Sequence, residues 1–401
     1  MIDRFIQRIL LLFGSFLVSA GGVWASENFV FITSTTGTAD LSTWPDAGGQ
    51  TGLAAGDAIC QAHAAAAALP GTYVAYVSDA DDDAFCRIQG LTGRRVNDCG
   101  LGAAPAPEDS NPWFRVDGRP VFSDAVEMHF PASERMFYPL WLDENGAQRI
   151  GLILTGSNEF GSAQNTCAEF TSDSGGGSVG FSNYASSNWG SGFGVPCSSA
   201  AHLACFRVDT QPAEIRPDAS GIRQAFAAPA RLFGAMQDNA AADGLSGVAG
   251  GDRICRNLAA QAGLHDSDSF KAFLSAGSTP AWDRFENPDL PWARIDGVRF
   301  ADSLTALRDD GALSALNLAS DGSILTRDQA WSGTLFDGTV SANTCGDWSD
   351  STVVGATAVA NIAGSSWGRT GSGGGLSCDL EIAHMFCLSD SDLMFRDDWD
   401  S

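Results

Sequence analysis

The chain has 401 residues, 44% of them hydrophobic and 18% charged, which excludes an intrinsically disordered polymer and leaves room for more than one globular domain. Its 23 Lys and Arg stand against 48 Asp and Glu, a formal net charge of -25, so nucleic acid and anionic lipid surfaces are repelled. Ten cysteines with no Cys-x-x-Cys spacing argue for disulfides in an oxidising compartment and against a zinc thiolate site.

At the N-terminus, Arg4 and Arg8 precede the apolar run Ile9 to Val18 and the small-x-small pattern Val23-Trp24-Ala25. That is the form of a secretory signal peptide over residues 1–25. No later stretch holds 18 uninterrupted apolar residues, so no membrane insertion is expected once it is removed. The expected location is periplasmic, outer surface or extracellular.

Phe29 to Ser34 reads as a first strand. Then comes Gly-Leu-Ala-Ala-Gly-Asp-Ala-Ile-Cys, ending at Cys60, which returns as Gly-Val-Ala-Gly-Gly-Asp-Arg-Ile-Cys, ending at Cys255. Each copy reads as a glycine turn and the N-terminal turn of a helix, with Asp57 or Asp252 near the positive end of the helix dipole. The Ala-rich helix is expected over 56–68, closed by Leu69-Pro70-Gly71, and over 252–262 in the second copy. Tyr73 to Val77 and Phe270 to Leu274 follow as strands.

Trp113-Phe114-Arg115-Val116-Asp117-Gly118 matches Trp292-Ala293-Arg294-Ile295-Asp296-Gly297, an apolar strand ending in an Asp-Gly turn. Short helices are expected over 123–128 and 302–307. The later landmarks repeat in order: Asn-Thr-Cys at Cys167 and Cys345, Trp-Gly at Trp189 and Trp367, then Cys197 and Cys378, then His-x-x-Cys ending at Cys205 and Cys387. A tandem duplication follows: a first domain at 26–207, a linker at 208–228, a second domain at 229–388 and an acidic tail at 389–401. Arg231 to Ala235 is the expected first strand of the second domain.

Each domain carries four shared cysteines, and four cysteines permit three pairings. The separations suggest a nested one, with Cys60–Cys205 and Cys255–Cys387 as long staples and Cys167–Cys197 and Cys345–Cys378 as short ones. Cys86 and Cys99 occur in the first domain alone and are expected to close a local loop.

The order Gly-x-x-x-Gly-Asp-x-Ile-Cys, Asn-Thr-Cys, Trp-Gly, Cys and His-x-x-Cys resembles the bacterial relatives of the endostatin domain of collagens, over roughly 28–207 and 229–388. The resemblance implies an α+β, C-type-lectin-like fold in each domain: a twisted antiparallel sheet, two helices, long loops and nested disulfides. It also implies a non-catalytic recognition protein, taking a glycan, a matrix component or an envelope protein through its loops. A structural or adhesive role is the alternative. The basic heparin-binding surface of animal endostatins is not expected on so acidic a chain.

The sugar-binding calcium triplets of C-type lectins do not occur here, and no cofactor is called for beyond weak candidate calcium ligands in the run Asp79, Asp81, Asp82 and Asp83. Two Gly-x-Ser-x-Gly matches, at Ser178 and Ser366, lack an evident strand-turn-helix context. His63, His129, His202, His265 and His384 are scattered, with His202 and His384 equivalent and read as structural. Trp189 and Trp367 are candidates for stacking on a ligand, although a core role suits them better. No nucleophile or acid-base set is common to both domains, so no enzyme is expected.

Overall fold

In the computed structural model the described residues are 27–104, 112–129, 135–210, 215, 222–326, 328–371 and 375–391. The expected signal peptide lies outside them.

Each copy of the nine-residue repeat opens a fifteen-residue helix, Gly52–Ala66 and Gly247–Gln261. Gly52 and Gly247 begin it at φ of +57° and +64°, a region glycine enters without a Cβ clash. One turn on, Gly56 and Gly251 lie so close to the sheet that a Cβ on either would stand 3.0 Å from that of Ala75 or Ala272. Asp57 and Asp252 therefore sit beyond the first turn, and they do not serve the helix dipole. Each Oδ1 accepts the backbone N–H of Ala75 or Ala272 at 2.9 Å and a guanidinium N–H, from Arg87 at 2.5 Å or Arg284 at 2.8 Å. The acid clamps helix to strand.

The first half contributes β1 (Phe29–Ile32), β2 (Tyr73–Ala75), β3 (Trp113–Arg115), β4 (Pro120–Phe122), β5 (Leu152–Leu154), β6 (Gly176–Phe181), β7 (Phe193–Pro196) and β8 (His202–Arg207). The second contributes β9 (Arg223–Ala227), β10 (Phe270–Ala272), β11 (Trp292–Arg294), β12 (Arg299–Ala301), β13 (Gln329–Trp331), β14 (Val354–Gly355), β15 (Thr357–Val359), β16 (Leu376–Ser377) and β17 (His384–Ser389). The first sheet runs β4-β3-β1-β8-β5-β6-β7 with β2 also on β8. The second runs β12-β11-β9-β17-β13-β15 with β10 on β17, and β14 pairs with β16 apart. Two copies of one topology result.

Four expectations need correction. The sheets are mixed rather than antiparallel, because β1 and β3, β5 and β8, β9 and β11, and β13 and β17 pair in parallel. The stretch expected as a linker ends in strand β9, whose Phe226 faces Cys387 as Phe31 faces Cys205. Arg223-Gln224-Ala225-Phe226-Ala227 has no β-branched residue, and it is a strand because β11 and β17 flank it on both edges. Leu232, expected inside a strand, makes a single bridge to Ala383 instead. Finally, Ser389 and Asp390 belong to the fold: the buried Asp390 carboxylate takes Lys271 at 2.5 Å and Arg223 at 3.4 Å.

β1 and β8 are buried on both faces, which explains their continuous apolar runs. Phe29, Phe31, Leu203 and Cys205 face the long helix, while Val30, Ile32, Ala204 and Phe206 face the opposite layer of loops. Short helices Ala125–Met128 and Leu304–Asp309 match the expected stretches, capped by Asp124 and Ser303. All five expected disulfides are present, with Cα–Cα distances of 5.4–5.8 Å.

The Asn-Thr-Cys landmark marks one turn of left-handed backbone. Cys167 to Phe170 and Cys345 to Trp348 all have φ between +52° and +64°, and Thr166 and Thr344 accept the N–H of Glu169 and Asp347 within it. Glu169 Oε2 and Asp347 Oδ1 then accept from Ala80 and Gly277 across the loop. Left-handed non-glycine residues cost free energy, and here a disulfide and a buried aromatic ring hold each turn in place.

The halves join about a local twofold axis. Tyr184 and Ile362 pair antiparallel, with Ala185 N donating to Asn361 O at 2.8 Å and Ala363 N to Asn183 O at 2.9 Å. Counting back from Trp189 and Trp367, these are the same positions in each copy, so the two bonds are one bond repeated by symmetry.

Candidate functional site

The acidic run is a hydrogen-bonded loop. Asp79 Oδ1 accepts the N–H groups of Asp81 and Asp82 at 2.9 and 2.8 Å, and Asp82 Oδ1 accepts from Gly93. The buried Asp83 accepts from Arg94 Nε, Arg95 N and Ala163 N at 2.8–3.1 Å. Three carboxylates are thus turned to different N–H donors. Among the described residues, no three His, Cys, Asp or Glu side chains converge as a metal ion requires.

Trp189 and Trp367 are 2% and 1% exposed, packed on Tyr76, Phe122 and Phe206 in the first copy and on Phe273, Phe300 and Phe386 in the second. They are core anchors and present no face to a ligand, so the stacking role is corrected. His202 and His384 reach back through Nδ1 to the carbonyls of Thr33 and Ala228 at 2.6 and 2.8 Å. His129 Nδ1 donates to Ala125 O, Tyr76 donates to its Nε2 at 2.6 Å, and burial pushes its pKa down to about 3. Ser178 lies inside β6, away from any strand-to-helix turn.

Two features belong to the first copy alone. The loop closed by Cys86–Cys99 leaves Val96 in solvent, 80% exposed, and Leu101 just after it is 58% exposed; Phe160, which Arg95 reaches, is 42% exposed. Arg95 binds the two loops together: it donates to Phe160 O at 2.6 Å and lies over the Phe85 ring at 4.2 Å.

The second feature is a polar network at the far end of β1. Glu144 Oε1 meets His63 Nδ1 at 2.9 Å and Ser34 Oγ at 2.5 Å, and its Oε2 accepts from Ser34 N. His63 Nε2 meets Thr35 Oγ1 at 3.2 Å and lies 3.7 Å from Asp46. Burial raises the Glu144 pKa, but hydrogen bonds from His63 and Ser34 outweigh it and hold the carboxyl at about 2. The shared strand pairing and helix start place Pro229, Ala230, Ala241, Leu258 and Ser320 at the positions of Ser34, Thr35, Asp46, His63 and Glu144. The second copy lacks the network.

A cleft of about 300 Å³ opens where the halves meet, between the turns Asp117-Gly118-Arg119 and Gly297-Val298-Arg299. Phe137, Tyr138, Pro120 and Ile215 complete its wall. Tyr138 Oη accepts the N–H of Arg299 at 2.9 Å, and its ring lies between Arg115 and Arg119 at 5.4 and 5.2 Å. Beneath the turns, Arg115 and Arg294 each fork onto their own Asp117 or Asp296. Arg135 of the first half joins Asp296 at 2.9 Å. Burial raises Asp296, and the two arginines outweigh it and hold it at about 2. Sequence reasoning missed this junction, and its only linear trace is the repeated Asn-x-Ala before Trp-Gly.

The chain matches no protein-family model, and no curated protein is significantly similar to it. No helix among the described residues is long and apolar enough to cross a membrane.

Proposed function

We propose that this is an exported recognition protein made of two endostatin-like, C-type-lectin-like domains, binding a glycan, matrix component or envelope protein through the loop end of the first domain. The observation that carries this reading is the loop closed by Cys86–Cys99, where Val96 and, just after the loop, Leu101 are exposed and Arg95 reaches the carbonyl of the part-exposed Phe160. Isolated exposed apolar residues are ordinary, but these stand on loops tied by a disulfide and by Arg95, which leaves less ordering entropy to lose on binding. Five disulfides and the signal-like N-terminus fit an oxidising compartment.

A structural or adhesive role draws on one observation, the edge strand β7, with Phe193 52% exposed. A glycan array and an envelope-extract pull-down, each run with the oxidised protein and with Leu101→Ser and Phe160→Ser variants, test the proposal. A ligand lost with both variants supports it. A chelator-sensitive ligand untouched by them redirects attention to Asp79–Asp83, and no captured ligand in either format favours the structural role.

A further inference from the structure

We infer that the cleft on the axis between the two halves binds a small organic carboxylate with a compact, apolar or planar body. This site is separate from the loop end of the first domain and stands or falls without it.

Charge is the first indication. In a chain with twice as many acids as bases, Arg119 and Arg299 both line one cleft of about 300 Å³, and they come from equivalent turns of the two copies. The charged groups at and beneath the two turns are Arg115, Arg119, Arg135, Arg294 and Arg299 against Asp117, Asp296 and Asp302, an excess of positive charge. Asp117 is held by the buried Arg115 in a two-bond fork at 2.5 and 3.1 Å, and only at 3.8 Å by Arg119. Arg119 therefore has N–H donors to give. Arg299 spends Nη1 on the exposed Asp302, a contact that water already weakens.

Shape and polarity narrow the class further. The walls are Phe137, Tyr138, Val298 and Pro120, and the Tyr138 hydroxyl is already engaged by Arg299 N. Apolar walls with two arginines in the lining match a planar anion on an apolar body, because a guanidinium fork meets a carboxylate in two parallel bonds. The volume lies at the lower end for ligand cavities, the size of a single-ring molecule.

The test uses the oxidised full chain and benzoate as the probe, with benzamide as its neutral counterpart, followed by amide chemical shifts of Gly118, Gly297 and Val298 in low-chloride buffer. The expected result is saturable movement of these signals by benzoate, with affinity of about 1 mM or tighter. Benzamide, Arg119→Gln and Arg299→Gln should each weaken it about tenfold, the effect of losing a charge-assisted pair. Both arginines are partly exposed, so the variants should fold, and unchanged near-UV circular dichroism checks that. Absence of a saturable shift with benzoate overturns the inference. So does an equal response to benzamide, or indifference to both substitutions.

Discussion

The two halves differ in where they were allowed to change. What they share are positions fixed by geometry, namely the glycine at the helix start, the glycine under the helix, the clamping Asp, the paired cysteines and the left-handed turn. What they do not share lies at the rims. The first half alone has the Cys86–Cys99 loop, the acidic run and the His63–Glu144 network, and the second places Ala230, Leu258 and Ser320 where the network stood. Each scaffold position ties one element to another, as Asp57 and Gly56 tie the helix to β2.

The largest effect should come from the long staples. Replacing Cys60 and Cys205 together by Ala, or Cys255 and Cys387 together, should each cost up to about 5 kcal/mol in denaturant unfolding, and the short staples about 3–4 kcal/mol. Equal losses in the two halves uphold the shared scaffold, and a loss confined to one half would break it. Next come the clamps. Asp57→Ala and Asp252→Ala each take a partner from a half-buried arginine and from a strand N–H, and each should cost about 1–3 kcal/mol.

Glu144 sharpens the contrast through pH. Its folded pKa, about 2, lies below the ordinary value of about 4.3, so its stabilising contribution is complete above that ordinary value and is lost as pH falls through about 2. Unfolding measured from pH 6 down to 2 should therefore show a decline that is shallower in Glu144→Gln. Identical slopes would mean that the carboxylate is not held as described.

The smallest effect concerns helix ends. Leu69 N and Leu264 N both close the helix onto the carbonyls of Ala64 and Ala259, across Ala68 at φ +54° and Gly263 at φ +67°. Ala68→Gly should stabilise by about 0.5–1 kcal/mol and Gly263→Ala should destabilise by a similar amount.

Much of the scaffold was legible because the duplication wrote it twice. Equivalent Cys spacings, Trp-Gly and the Asp-Gly turns align without reference to structure. Strand β9 was not legible, since its five residues carry no strand pattern and are ordered by the neighbours on both edges. Nor was the parallel pairing, which depends on where long connections return the chain. The Asp57 clamp was read as a dipole effect because sequence shows the residue and not the strand it faces. The core role favoured for Trp189 is the one it has, although a Trp beside glycine left the stacking role open as an alternative. The junction between the halves was invisible for a plainer reason: counting back from Trp-Gly shows that Tyr184 and Ile362 occupy one position, but only backbone bonds show that they pair.

An internally paired duplication stands or falls on that junction. Tyr184 and Ile362 form a pair without hydrogen bonds between themselves, the arrangement that brings opposed Cα atoms to about 4.5 Å, within disulfide reach. The most direct measurement is peptide mapping of the Tyr184→Cys/Ile362→Cys double variant after air oxidation. A sixth disulfide joining residues 184 and 362 within one chain is the predicted result. Two free thiols in an otherwise correctly oxidised protein, or a bond linking separate chains, would contradict it.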